Sequence, residues 1–261
     1  YPAFVLSSLK PVASLKEKIK NNGQKAVLRK ILVGTQFGLA LMVVIAALVV
    51  SKQVSHFFGK SLGYNREFIV SAQAPRDWTP DGVRKMLTIR NEFAKLPQVS
   101  QVSLSFEIPN GNNGGQVPIY KLGTDSAAAS FMQQLRTDDN FLNTYQVPLL
   151  AGNFFNVSGN DSGKLVMNEK AINLLGFKDA RDALGKQVRI PGDATVFSIG
   201  AVVKDFHIGS MQQAMPPVVF FNVRFAPLYR YLSFKMKPGN IPASIDAIQK
   251  KWSALMPGSS F

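Results

Sequence analysis

Residues 31–50 read ILVGTQFGLALMVVIAALVV, twenty positions in a row without a charged side chain. No other feature limits this chain so strongly. Twenty helical residues at a rise of 1.5 Å cover about 30 Å, the hydrocarbon thickness of a bilayer. Thr35 and Gln36 are the conspicuously polar members of the run. A buried helix of a soluble domain is usually shorter or carries a polar stripe. A cleaved signal peptide is the nearer rival, yet its apolar core is about 7–15 residues and it stands close to the start of a chain. Here thirty residues come first. The run therefore reads as a transmembrane helix, taken as residues 31–53. The chain begins at Tyr1 and not at Met, as a piece of a longer protein would.

Charge gives the helix a direction. The 261 residues carry 30 Lys+Arg against 16 Asp+Glu, a formal net charge of +14. Such an excess raises nucleic acid or an anionic membrane as partners, and its distribution decides between them. Residues 1–30 hold Lys10, Lys16, Lys18, Lys20, Lys25, Arg29 and Lys30 against Glu17 alone. The positive-inside rule then makes 1–30 a cytoplasmic basic linker and places 54–261 in the periplasm, across a bacterial inner membrane. Phe57, Phe58 and Tyr64 would follow the span at its outer interface. Topology explains the basic cluster. The aromatic-and-basic motifs of RNA-binding modules are missing, so nucleic acid is not an expected partner.

Within the span, Gly34 and Gly38 form a small-xxx-small pair, GTQFG. Such pairs let helix backbones approach closely in lipid, although glycine is common enough in membrane helices for the spacing to arise by chance. Gln36 lies between them and also wants a partner, so Gly34, Gln36 and Gly38 are the helix-packing candidates.

After the span the pattern mixes α and β. With 46% hydrophobic residues the chain can build a core, which excludes disorder. With no cysteine, disulfide scaffolds, Cys-based zinc sites and thiol catalysis are excluded. FIVSAQ (68–73) reads as a strand. Thr79-Pro80-Asp81 is a helix start, and Val83, Met86, Ile89, Phe93 and Leu96 share one helical face. VSQVSLSFEI (99–108) alternates like a strand, PNGNNGG (109–115) is a turn, and VPIYKL (117–122) would pair back as a hairpin arm. Further on come a short helix from Asn168 to Leu175 ended by Gly176, and strands at 187–190, 195–203 and 218–221. YRYLSFKMK (229–237) is strand-like, and Pro242 opens a helix whose Ile245, Ile248, Trp252 and Leu255 share a face. The expected fold is α/β (α+β). An α/β subdomain (about 62–122 and 227–261) is built from both ends of the outer domain. A β-rich subdomain (about 123–226) is inserted between them.

The search for chemistry yields little. Asp205 and His207 in KDFH could give one metal two ligands, but no third is at hand, and a surface turn after a strand is the favoured reading. GKSLG (59–63) matches G-x-S-x-G around Ser61, but it follows the span and not a buried strand, so a flexible link is favoured. GNDSGKL (159–165) fails the phosphate-loop spacing by one residue and has Leu165 where Ser or Thr is required. Asn156 and Asn160 match the glycosylation pattern, which matters in a eukaryotic secretory route. Asp138 and Asp139 are adjacent, so a solvated helix start is favoured over paired catalytic carboxylates. No catalytic, cofactor-binding or metal-binding residue is assigned.

Several stretches carry a resemblance. YPAFVLSSLKPVASLK (1–16) resembles the segment leaving a membrane helix in permeases of the MacB/FtsX type of ABC transporter. LRKILVGTQF (28–37) resembles the start of the first membrane helix in the second half of long, two-half permeases. LGYNREFIV (62–70) resembles the family's passage into the outer domain. VMNEKAINLLGF, ALGKQV and IGAVVKDFHIGSMQQAMPP (within 166–217) resemble its most recognisable outer-domain run. The resemblance implies a MacB-like periplasmic core domain with a porter-like α/β part and an inserted β-rich part. It implies a stretch ending at Phe261 short of further membrane helices, and no catalytic residues in this region. It also implies partners: a cytoplasmic ABC ATPase subunit, other permease helices or a second permease copy, and a periplasmic partner, besides the lipid bilayer. A single-span receptor with an extracytoplasmic sensing domain is the alternative that topology alone leaves open.

Overall fold

The computed structural model describes residues 22–59, 62–111, 114–156, 161–209 and 213–261, with the backbone alone for 22–25 and 55–59. It divides into two compact units, Tyr1–Lys60 and Ser61–Phe261.

In the first unit, helix α1 runs from Asn22 to Gly59, 38 residues. At 1.5 Å per residue that is about 57 Å, well beyond a hydrocarbon core of about 30 Å. No proline interrupts 22–59, so the helix carries on past both ends of the apolar run. Ala26–Val54 contains an 18-residue window with a mean hydropathy of 2.3 and is long and apolar enough to cross a membrane. Phe37, Met42, Val43 and Leu48 are all exposed. A helix apolar on every side is suited to lipid. The hydroxyl of Thr35 donates to the carbonyl of Ile31 at 2.9 Å, so this polar group is satisfied inside the helix. The basic segment 1–21 lies outside the described residues, as do the side chains of Phe57 and Phe58.

The second unit contains ten strands and five helices among the described residues: β1 (Ile69–Gln73), α2 (Pro80–Ala94), β2 (Val99–Ser105), β3 (Gln116–Lys121), β4 (Ser130–Thr137), α3 (Phe141–Tyr145), β5 (Leu149–Gly152), β6 (Lys164–Asn168), α4 (Glu169–Leu174), α5 (Ala180–Ala183), β7 (Gln187–Arg189), β8 (Phe197–Val203), β9 (Val218–Asn222), β10 (Tyr231–Met236) and α6 (Ile241–Leu255). Three strands, in the order β1-β10-β2, form an antiparallel sheet. Leu232 and Phe234 of β10 and Val102 and Leu104 of β2 pack with Phe93 of α2 and Trp252 of α6. The caps are local. Thr79 accepts from the Gly82 amide at 3.0 Å, and Asn240 accepts from that of Ala243 at 3.1 Å. Each satisfies an orphan donor of a first turn that also holds a proline.

Six other strands close into a ring, β4-β3-β7-β8-β6-β9 and back to β4. Its members are antiparallel except β8–β6 and β9–β4. Ile119, Met132, Val188, Ile199, Leu165 and Val219, one from each strand, belong to a single buried cluster. Side-chain alternation sends one set of residues from every strand to that interior. The other faces of β4, β6, β8 and β9 pack Leu135, Val166, Ala201 and Phe220 with Phe141, Tyr145 and Phe206. Sheet and ring meet at one bridge pair, Ser105 of β2 with Thr137 of β4.

Two expectations are corrected. β3 is not the hairpin partner of β2: it pairs with β4 and β7. One edge of β2 is taken by β10, and the alternating run stops as a strand at Ser105, where the chain leaves the sheet. The KDFH segment is more than a surface turn. Phe206 and Ile208 are fully buried, and the His207 amide donates to the Leu62 carbonyl at 2.8 Å. The apolar alternation of β8 carries on through this segment after its ladder has ended.

Candidate functional site

Gly34 and Gly38 stand one turn apart on α1, and a Cβ built on either would meet no described atom within 4 Å. The Gln36 side chain makes no hydrogen bond among the described residues, in contrast to the Thr35 hydroxyl one position before it. The two glycines share one side of the helix, and Gln36, two positions from each, lies on the other.

In the outer unit, the polar chemistry gathers where the sheet meets the ring. Arg90 projects from α2, and its Nη1 donates to Asp138 Oδ2 at 2.6 Å and to Asp139 Oδ1 at 2.9 Å. Asp138 also accepts from the Ser103 hydroxyl at 2.8 Å, the Leu104 amide at 2.7 Å and the Asn140 amide at 3.1 Å. The adjacent carboxylates therefore converge on one guanidinium, and Asp138 is buried at 1% exposure. The expectation of a solvated helix start is overturned, because the charge that pairs with them comes from 48 residues earlier in the chain. Burial pushes the Asp138 carboxyl up and Arg90 draws it back. With its lone pairs occupied, Asp138 ties α2, β2 and the end of β4 together; it has no vacancy for a substrate proton.

Beside this tie, the Tyr145 and Ser71 hydroxyls each bond that of Ser233 at 2.8 Å, and burial pushes Tyr145 up to about 12. Glu107, just past β2, is also buried, and burial lifts its pKa to about 7 against the pull of Arg136. Its carboxylate accepts from the Arg136 amide at 2.7 Å, and Arg136 Nη1 stands 3.5 Å away. A Cβ on Gly114 would collide with the Glu107 carboxylate, so a larger residue there would have to displace that side chain. The Ser105 and Thr137 hydroxyls, on the one bridge pair between sheet and ring, are buried without a described partner. The joint is polar and buried.

Asn168 is a second organising residue. Its Oδ1 accepts from the Ala171 amide at 3.1 Å and the Val218 amide at 2.7 Å, and its Nδ2 donates to the Pro216 carbonyl at 2.9 Å. One fully buried side chain thus caps α4 and holds the start of β9, joining VMNEKAINLLGF to the MPP that precedes β9. Gly176 follows α4 at φ +76°, a left-handed position suited to glycine at a helix end.

The remaining sequence candidates are spent on structure. Asp205 Oδ1 accepts from the Lys170 amide at 3.0 Å. Among the described residues no group of three His, Cys, Asp or Glu could hold a metal. Ser61 lies outside the described residues, as do 157–160, which cover part of each glycosylation pattern and the first Gly of GNDSGKL. One cavity of about 330 Å³ lies between the first turns of α2 and the end of α6, and another of about 290 Å³ is lined by Asp161, Lys164, Asp193 and Asn222. Sequence reasoning missed Arg90, Glu107 and Asn168's second bond, and only the cap role of Asn168 carried a local signal.

The family described as the MacB-like periplasmic core domain matches residues 32–253. No curated protein matches the chain. Among solved structures, the periplasmic region of MacB from Actinobacillus actinomycetemcomitans superposes with a TM-score of 0.50 at 12% identity, over 74% of this chain and 86% of that one. The extracellular domain of the ABC-type transporter YknZ from Gram-positive bacteria gives a TM-score of 0.47 at 13% identity, over 72% and 92%.

Proposed function

The chain belongs to the family of MacB-like periplasmic core domains, and from that premise we propose that it is part of the permease subunit of a MacB/FtsX-type ABC transporter. In this reading residues 1–30 lie in the cytoplasm, 31–53 cross the inner membrane, and 54–261 form the periplasmic core. Within that core, a porter-like α/β part (about 62–122 and 227–261) carries an inserted β-rich part (about 123–226), to which β3 of the first range adds a strand. ATP is hydrolysed on a separate cytoplasmic subunit, and this chain passes the resulting motion outward for the export or extraction of a substrate. The work is conformational. The observation that carries the reading is the extent of the family match, which begins inside the apolar helix and runs almost to the end of α6. Gly34 and Gly38 form the face on which a second permease helix packs, and Gln36, on the opposite side of the span, bonds a different neighbour.

The chain has no cysteine, so topology can be read with single replacements. Thr124→Cys, on an exposed turn between β3 and β4, is expected to react with a membrane-impermeant maleimide in intact spheroplasts. Asn22→Cys is expected to react only after permeabilisation. The opposite pattern overturns the orientation and the permease reading with it.

A further inference from the structure

Arginine and aromatic rings gather at one place on the outer unit. The guanidinium carbon of Arg230 lies 4.5 Å from the ring centroid of Phe106, and that of Arg136 lies 5.7 Å from the same ring. Phe106 in turn stands 6.0 Å from Trp78, over which Arg76 sits at 5.8 Å. The Trp78 indole donates to the Tyr229 carbonyl at 2.8 Å, which fixes the ring while leaving it 41% exposed.

The three cations are not equally satisfied. Arg136 has Glu107 at 3.5 Å and the Gln134 side-chain oxygen at 2.9 Å. Arg230 has no carboxylate within 4 Å among the described residues, although it draws on the charge of the buried Glu107 carboxyl, and its Nε is buried with no acceptor. Arg76 likewise has none. Of the nearby acids, the Asp77 carboxylate already accepts from the Thr79 amide at 3.3 Å and its hydroxyl at 2.7 Å. Glu107 is buried against Arg136. Stacking holds a guanidinium plane in place and leaves its edge free for a planar, two-oxygen acceptor.

We propose that Phe106, Trp78, Arg230 and Arg76 form a docking surface for an acidic segment of a partner protein outside the membrane. The identity of that side as the outside rests on the permease reading; the binding itself does not. Charge complementarity selects the occupant: a carboxylate supplies the acceptor that Arg230 lacks, and an apolar neighbour on the same segment covers Trp78. Arginine and tryptophan set side by side, with part of the arginine desolvated, are the residue types that dominate binding energy at protein interfaces.

The test uses the full chain in phosphatidylcholine nanodiscs and a fluorescein-labelled hexapeptide of alternating Glu and Leu, at low ionic strength. Saturable binding is expected, weakened about tenfold or more by Arg230→Ala and not restored by Arg230→Lys, which lacks the planar fork. Arg76→Ala, at an exposed position without an ion pair, is expected to weaken binding by a smaller factor, and gives the answer if Arg230→Ala fails to fold. Lys186→Ala, an exposed cation of the ring unit away from these aromatic contacts, is expected to change nothing. Four results would overturn the proposal: no binding, binding unchanged in both arginine variants, equal binding of a Gln-for-Glu peptide, or arginine-dependent binding of phosphatidylglycerol vesicles without binding of the peptide.

Discussion

The three-stranded sheet and the six-stranded ring of the outer unit bury the same kinds of side chain but close their cores differently. The sheet has one apolar face roofed by two amphipathic helices, with large residues such as Phe93, Phe234 and Trp252, while its other face is a buried polar layer that includes Ser103 and Ser233. The ring turns its strands on themselves, so its interior is filled by medium residues such as Ile119, Met132 and Leu165, one or two from each strand. Closure removes edges, which a three-stranded sheet cannot do. One architecture depends on a few large contacts, the other on many small ones, and the polar joint links them through a single bridge pair.

The largest expected effect tests whether that joint makes sheet and ring cooperative. Trp252 is fully buried, 5.9 Å from the Phe93 ring and 5.3 Å from that of Phe261. In residues 62–261, expected to fold without the span, Trp252→Ala should cost roughly 3–5 kcal/mol by urea unfolding. A single shifted transition is expected. Two transitions, one at the parent midpoint, would show that the ring unfolds apart from the sheet.

A smaller effect sharpens the role of the joint. Folded Glu107 keeps its proton up to about pH 7, against an ordinary value of 4.5. Between those values the folded state binds more protons, so this contribution is fully present below about 4.5 and is lost as pH rises through about 7. Glu107→Gln should remove a fall of roughly 3 kcal/mol across that window, seen as a flatter profile of stability against pH. An unchanged slope would show that Glu107 is not the group responsible.

The smallest effect marks the outside of the ring. Phe131 on β4 is 62% exposed. Phe131→Ser should leave unfolding within about 0.5 kcal/mol of the parent. A loss of several kcal/mol would mean that this face is covered.

The same contrast explains what could be read from the sequence. α2 and α6 were legible because their caps, prolines and apolar spacing are all local signals. The ring was not. β4 carries Gln133 and Gln134 in mid-strand, and Gln133 is buried because its amide donates to the Gly114 carbonyl at 2.5 Å, across a loop that no alternation pattern foretells. β6, KLVMN, is a short apolar run buried in both directions and so shows no period of two. β3 was assigned to the wrong neighbour because proximity in sequence favoured a hairpin, while the ring recruits it across a distance of about seventy residues to β7. Asp138 looked solvated because nothing near it in sequence announces Arg90. Periodicity reports which face of an element is buried; it does not report which distant charge a buried carboxylate will meet.

The span stands apart from both architectures. Its helix is apolar on every side, so its neighbours must be chosen by small residues and polar side chains rather than by an apolar stripe. In the permease reading that helix is the route by which motion leaves the cytoplasmic side, through packing at Gly34 and Gly38 on one side and at Gln36 on the other. The direct measurement is Gly38→Leu in the full-length permease, with expression, assembly, partner ATPase activity and export followed together. Normal expression with a folded outer unit and a marked loss of export is the predicted result. Normal export at normal expression would contradict it, because a face that tolerates leucine is not packed against the helix that moves.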